Sequence, residues 1–185
     1  MGVPKDQYRI QAVDPQRVTG KTRRLLAQVR AKLGLVPNLF RVLANAPVAL
    51  EVYMNFSAAL AGGTLNDRIR EQIGLAVAET NLCGYCRSAH TFLGRRAGLT
   101  PDEIANAIRA SAADPKTDAI LKLARNIVVQ RGEVTDSDLQ RARVAGLSDG
   151  EIIETVANVA LNIFMNYVSH AARLPIDFPQ NESEI

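Results

Sequence analysis

The sequence predicts an all-α protein. Three observations carry this. Apolar residues recur at three- and four-residue spacing over long windows. No stretch keeps the apolar–polar alternation of a strand. The chain is rich in Ala, Leu, Arg and Glu, which lose little on entering a helix. At 185 residues with 47% hydrophobic content it can bury one sizeable core.

The expected organisation is an irregular N-terminal arm over residues 1–20, a helical domain over 21–175 and a polar, extended tail over 176–185. Pro4, Asp14-Pro15 and Gly20 punctuate the arm, which is free to wrap a neighbouring subunit or lie loose. A first helix runs through "RRLLAQVRAKL", with Leu25, Leu26, Val29 and Leu33 on one face and Gly34 as its stop. A short helix follows Pro37. Pro47 opens a third helix that ends at Gly62-Gly63. "TLNDRIREQIGLAVAETN" gives a fourth, with Leu65, Ile69, Ile73 and Val77 on its apolar face. A break near Asn81 separates it from a fifth through "CGYCRSAHTFLGRRAG". Thr100, Pro101 and Glu103 form a capping arrangement for a sixth. Helices through "DPKTDAILKLARNIVVQRG", "TDSDLQRARVAG" and "LSDGEIIETVANVALNIFMNYVSHAARL" complete the series. "AGLTPDEI" and "AGLSDGEI", 48 residues apart, both open an amphipathic helix.

Several function classes fall away. A net charge of +3 without a basic, aromatic-interleaved patch argues against a nucleic-acid partner. No run reaches the roughly 18 apolar residues of a membrane span. The first sixteen residues contain no apolar segment typical of a secretory signal, and Asp6 breaks the myristoylation pattern, so a cytoplasmic location is expected. In that compartment a CxxC pair is metal-binding or redox-active more often than a structural disulfide.

The chemistry concentrates in "ETNLCGYCRSAH", Glu79 to His90, which holds both cysteines and one of the two histidines. A zinc site would have Cys83, Cys86 and His90 as ligands and would need Glu71 or Glu79 as an unusual fourth. An inert reading treats the cysteines as small apolar fillers. A redox reading uses their spacing: Cys83, Cys86 and His90 stand at i, i+3 and i+7 on one helix face. Two thiols on a first helical turn can close a disulfide, and the helix N-terminus stabilises a thiolate. His90 lies one turn beyond Cys86 and can take its proton. A peroxide would oxidise one sulfur to a sulfenic acid, and the other would condense with it. His170, on a largely apolar helix, reads as a packing or interface histidine that could also stand near the thiols.

"EQIGLAVAETNLCGYCRSAH" resembles the core motif of the AhpD-like alkylhydroperoxidases of the carboxymuconolactone decarboxylase superfamily: a Glu, eleven residues, then C-x-x-C-x-x-x-H. "LGLVPNLFRVLANAPVALEVYMNFSAAL" and "NYVSHAARLPIDFP" resemble the peroxidase-related branch, so the likeness covers most of the chain past residue 30. The resemblance implies an AhpD-like helical bundle reducing hydroperoxides at the expense of a thiol or dithiol reductant protein. Cys86 would be the peroxidatic nucleophile. Cys83 would be the resolving cysteine, nearer solvent. Glu71 and His90 would form a proton relay. No cofactor or metal is implied beyond the redox-active Cys83–Cys86 pair, and a homo-oligomer, trimer or hexamer, is expected. One departure stands out: members can carry C-x-H-C, whereas Tyr85 occupies that position here and, with an ordinary pKa near 10, is a poor base. Tyr85 is then a hydrogen-bond donor or a shaper of the pocket, with Glu79 and His170 as further candidates around the pair. The alternatives are a carboxymuconolactone-decarboxylase-like lyase, which would not need the dithiol, and a disulfide oxidoreductase without significant peroxidase turnover.

Overall fold

The computed structural model describes residues 8–178. Residues 1–7 of the arm and 179–185 of the tail lie outside the described residues. Among those described there are nine helices and no strand: α1 Gly20–Leu33, α2 Asn38–Leu43, α3 Pro47–Ala61, α4 Asp67–Thr80, α5 Gly84–Arg96, α6 Pro101–Ile108, α7 Pro115–Val129, α8 Asp136–Val144 and α9 Asp149–Ala172. No helix among them is long and apolar enough to cross a membrane.

The boundaries follow local chemistry. Gly34, in the left-handed region at φ 84°, closes α1. Pro47 sits in the first turn of α3. Asn66 caps α4 by accepting from Ile69 N–H. Thr100 with Glu103 and Ser148 with Glu151 form full capping boxes, so the two similar sequence segments share a helix-start device.

α4 is the central helix and packs against α5, α6, α7 and α9. Its residues Gln72 to Ala78 are all buried, which exceeds the single apolar face expected from its periodicity. Small residues make this possible, because Gly74, Ala76 and Ala78 let neighbouring helices approach on every side. One core cluster gathers α4 with α6–α9 around Leu75, Ile120 and Leu121. A second gathers α1, α2, α3 and α5 around Leu26, Leu50 and Phe92, and it includes both cysteines.

The described part of the arm packs on its own chain. Val13 exchanges hydrogen bonds with Arg41, and Arg9 N–H donates to Ala172 O at 2.9 Å. The segment read as a polar tail contains a buried aromatic, Phe178. Its ring meets Tyr85 edge-on at 5.6 Å between centroids and Phe92 at 5.8 Å.

Candidate active site

The α4–α5 junction fixes the cysteines. Leu82 takes the left-handed conformation at φ 55°, and Cys83 N–H bonds back to Ala78 O at 2.8 Å. This is the helix-ending turn that usually employs Gly or Asn. It reverses the chain so that Cys83 becomes the N-cap of α5, and Cys86 N–H donates to the Cys83 sulfur at 3.3 Å. A cysteine thus fills the place of a capping Ser or Asp, where helix-terminal N–H groups favour negative charge on sulfur.

Both cysteines are free thiols and each is only 2% exposed. The two cysteines do not differ in exposure, and they are set apart by what each faces. Cys86 is the sulfur that lines the cavity, while Cys83 is turned into the helix cap. The hydrogen bond shared with Cys86 holds the Cys83 thiol down to about 6, against burial and with help from Ser169, the Cys86 N–H and His170. The same shared bond, burial and the charge on Cys83 push the Cys86 thiol up, while Asn166 and Ser169 pull it down. The direction of the two shifts favours negative charge on the capping sulfur over Cys86.

Glu71 and His90 meet across the α4–α5 contact, Glu71 Oε2 lying 2.7 Å from His90 Nδ1. Both side chains are about four-fifths buried. Burial disfavours a charged imidazole. The Glu71 charge, the hydrogen bond to it and a contact with Asn162 outweigh that cost, so His90 is held above its ordinary value. Asn162 ties its own Nδ2 to Asn158 O at 2.9 Å, leaving its oxygen as the acceptor that favours the protonated ring.

Cys86, His90 and Glu71 open on one cavity of about 330 Å³ between α1, α2, α3, α4, α5 and α9. Its walls are largely apolar, with Leu33, Phe40, Met54, Leu93 and Met165 among them, and Phe178 closes one side. Tyr53, also on the wall, is pushed up to about 12 by burial and by Glu71, so it stays a neutral phenol. The volume fits a small organic molecule in a mostly apolar pocket with a few convergent polar groups.

Tyr85 shapes the pocket. Its hydroxyl accepts from Leu39 N–H at 3.2 Å and donates to Asp177 Oδ1 at 2.8 Å. The other oxygen of Asp177 accepts from Asn38 N–H at 2.6 Å. Burial and the neighbouring Asp177 push the phenol well above its usual range. Tyr85 and Asp177 together satisfy the first N–H groups of α2, which has no capping side chain of its own, and so pin Phe178 over the cavity. The other two candidates stand apart from it. Glu79 pairs with Arg87 at 2.9 Å at the surface. The exposed His170 bonds through Nε2 to Asn81 O at 2.9 Å, near Cys83 and not Cys86. No group of three or more His, Cys, Asp or Glu side chains among the described residues is placed to hold a metal ion.

The sequence reading missed the polar stripe of α9. Asn158, Asn162 and Asn166, four residues apart, and Ser169 are all buried; Asn158 and Asn162 line the cavity, Asn162 acts on His90, and Asn166 and Ser169 act on the cysteines. Three asparagines at helical spacing inside an otherwise apolar helix were the available signal.

Residues 47–130 match the model of the carboxymuconolactone decarboxylase family. A peroxidase-related protein with an AhpD core from Ralstonia eutropha JMP134 superposes with a TM-score of 0.81 at 24% identity, over 92% of this chain and 93% of that one. A peroxidase-related protein from Silicibacter sp. TM1040 gives 0.81 at 22%, over 96% and 95%. The debrominase Bmp8 gives 0.79 at 14%, over 91% and 92%. At these identities the likeness is one of fold. No curated protein matches the sequence.

Proposed function

We propose, from the match of residues 47–130 to the carboxymuconolactone decarboxylase family and from the AhpD-like fold, that this chain is a thiol-dependent peroxidase that reduces organic hydroperoxides through the Cys83–Cys86 pair. One observation carries the reading. A cysteine of a capped dithiol and a histidine 2.7 Å from a glutamate share the wall of one apolar cavity.

The steps follow from where charge and protons are held. In this reading charge is favoured on Cys83, Cys86 keeps its S–H, and His90, held above its ordinary value by Glu71, is the proton donor. The Cys86 proton passes to Cys83 as the Cys86 sulfur attacks the terminal oxygen of ROOH. The O–O bond breaks, Cys86 becomes a sulfenic acid, and the departing alkoxide takes the His90 proton to give ROH. In this order of steps His90 gives a proton before it takes one. Neutral His90 can then assist removal of the Cys83 proton. The Cys83 sulfur attacks the sulfenic acid and the disulfide forms with release of water. The dithiol loses two electrons and the O–O bond gains them.

A thiol reductant returns the electrons. Cys86 is the sulfur on the cavity wall, so the incoming thiolate attacks there and expels Cys83, whose lower pKa makes it the better leaving group. The apolar walls favour an alkyl or aryl hydroperoxide over hydrogen peroxide.

The test is consumption of cumene hydroperoxide with a dithiol reductant. Cys86→Ser and prior alkylation of the thiols should both abolish turnover. Parent-like activity of Cys86→Ser overturns the assignment, and an activity on a small organic acid that survives alkylation would point to a lyase working through Glu71 and His90.

A further inference from the structure

Asn166 of α9 is 0% exposed, yet its Nδ2 has no hydrogen-bond partner. A buried donor left unpaired costs about 1–3 kcal/mol, so its retention calls for an account. The amide is not free to turn. Asn81 Nδ2 donates to Asn166 Oδ1 at 2.9 Å, and Asn81 O is bonded to His170 Nε2 at 2.9 Å. With its oxygen held by Asn81, the amide directs its nitrogen to the opposite side. The group on which that side chain acts is the Cys86 thiol. This donor is therefore buried, held through Asn81 beside the turn that carries the two cysteines, and without an acceptor of its own.

We propose that the Asn166 amide nitrogen is the hydrogen-bond donor that receives negative charge on the Cys86 sulfur, with Asn81 as its positioning residue. The proposal rests on the peroxidase reading for the use made of that charge. When the Cys86 proton passes to Cys83, the anion forms against a preplaced N–H, and no reorganisation is needed at the moment of attack. A donor of this kind strengthens when its acceptor becomes ionised. Ser169, one turn along α9, stands against both sulfurs and supports the pair without distinguishing them. Asn166 is named for Cys86, and so it biases the dithiol toward placing charge on the sulfur that faces the cavity.

The experiment uses the full chain in a Cys83→Ser background, where Cys86 is the sole thiol. The rate of alkylation by iodoacetamide is followed against pH, with no peroxide present. The titratable groups around the sulfur are His90 with Glu71, Tyr53, and Tyr85 with Asp177, while His170 stands by the capping position, and all are retained in every variant. Adding Asn166→Ala should slow alkylation near pH 7 by about tenfold, the loss of one charge-assisted hydrogen bond. The midpoint should rise and the high-pH plateau should stay in place. Asn166→Asp keeps volume and the acceptor for Asn81, but replaces the donor with a negative oxygen, so it should slow the reaction further. Asn81→Ala should fall between. If both Asn166 variants follow the background profile, the donor role is overturned. If only Asn81→Ala does, its positioning role is overturned. A folded, helical Asn166→Asp suffices if Asn166→Ala does not fold. Because the readout needs no turnover, a failed peroxidase assay and a failed donor assignment remain separate results.

Discussion

Gly74 lies directly beneath the imidazole of His90. A methyl group at that position would stand 2.5 Å from Cε1 and Nδ1 of the ring. The glycine stands one turn beyond Glu71 on α4, so the helix that supplies the carboxylate also supplies the space in which the imidazole meets it.

Gly74→Ala should therefore displace the ring from Glu71. Overpacking of this kind costs about 1–3 kcal/mol, and the misplaced proton donor should lower turnover by roughly 100-fold. Thermal unfolding and steady-state hydroperoxide reduction, measured together, check this. An alanine variant with parent-like activity would mean that the ring has another productive position.

Glu71→Gln removes the charge that holds His90 above its ordinary value. Acid–base groups of this type are worth roughly 100-fold or more, and the alkaline limb of the activity profile should move to lower pH. The stability sign follows from linkage. A group whose pKa is raised by folding stabilises the native state fully below its unfolded value, and that contribution is lost as pH rises through the folded value. The stability difference between parent and Glu71→Gln should therefore be greatest at about pH 5 to 6 and shrink toward alkaline pH. Denaturant titrations at several pH values measure it.

Tyr85→Phe leaves Leu39 N–H and Asp177 Oδ1 without their shared partner. The cost should be about 1–3 kcal/mol, and the hold on Phe178 should loosen. KM for a bulky organic hydroperoxide should rise, while the rate with hydrogen peroxide, which needs no cavity wall, changes little. A parallel loss with both substrates would count against the latch.

Much of this architecture was legible in the sequence. Capping boxes, helix-stopping glycines and apolar periodicity place the helices. The Cys83–Cys86–His90 spacing places Cys86 and His90 on α5, with Cys83 at its N-terminal end. The Glu71–His90 contact spans two helices and followed only from the family motif. Leu82 in a left-handed turn, which makes Cys83 a cap, could not be foreseen, because leucine carries no turn signal. Nor could the pairing of Asp177 with Tyr85 across 92 residues, since neither residue type announces a buried partner. The capping role of Cys83 is likewise a property of the turn and not of the CxxC spacing.

Apolar side chains also remain exposed in register. Val48, Val52 and Phe56 stand at four-residue spacing on α3, and Ile153, Val156, Phe164 and Tyr167 are exposed on α9. We expect these faces to be covered by further copies of the chain, as in the homo-oligomer implied by the family resemblance. Sedimentation should find a trimer or hexamer, and Val52→Glu should reduce its size. A parent protein that sediments as a monomer at micromolar concentration would contradict this.

The most direct test treats the fully reduced protein with one equivalent of cumene hydroperoxide, followed by thiol titration and mass spectrometry. The account predicts loss of both thiols, a bridge between Cys83 and Cys86 and one equivalent of alcohol, with the Cys86→Ser variant leaving the hydroperoxide intact. Consumption of the hydroperoxide with both thiols still free, or by Cys86→Ser as fast as by the parent, would contradict it.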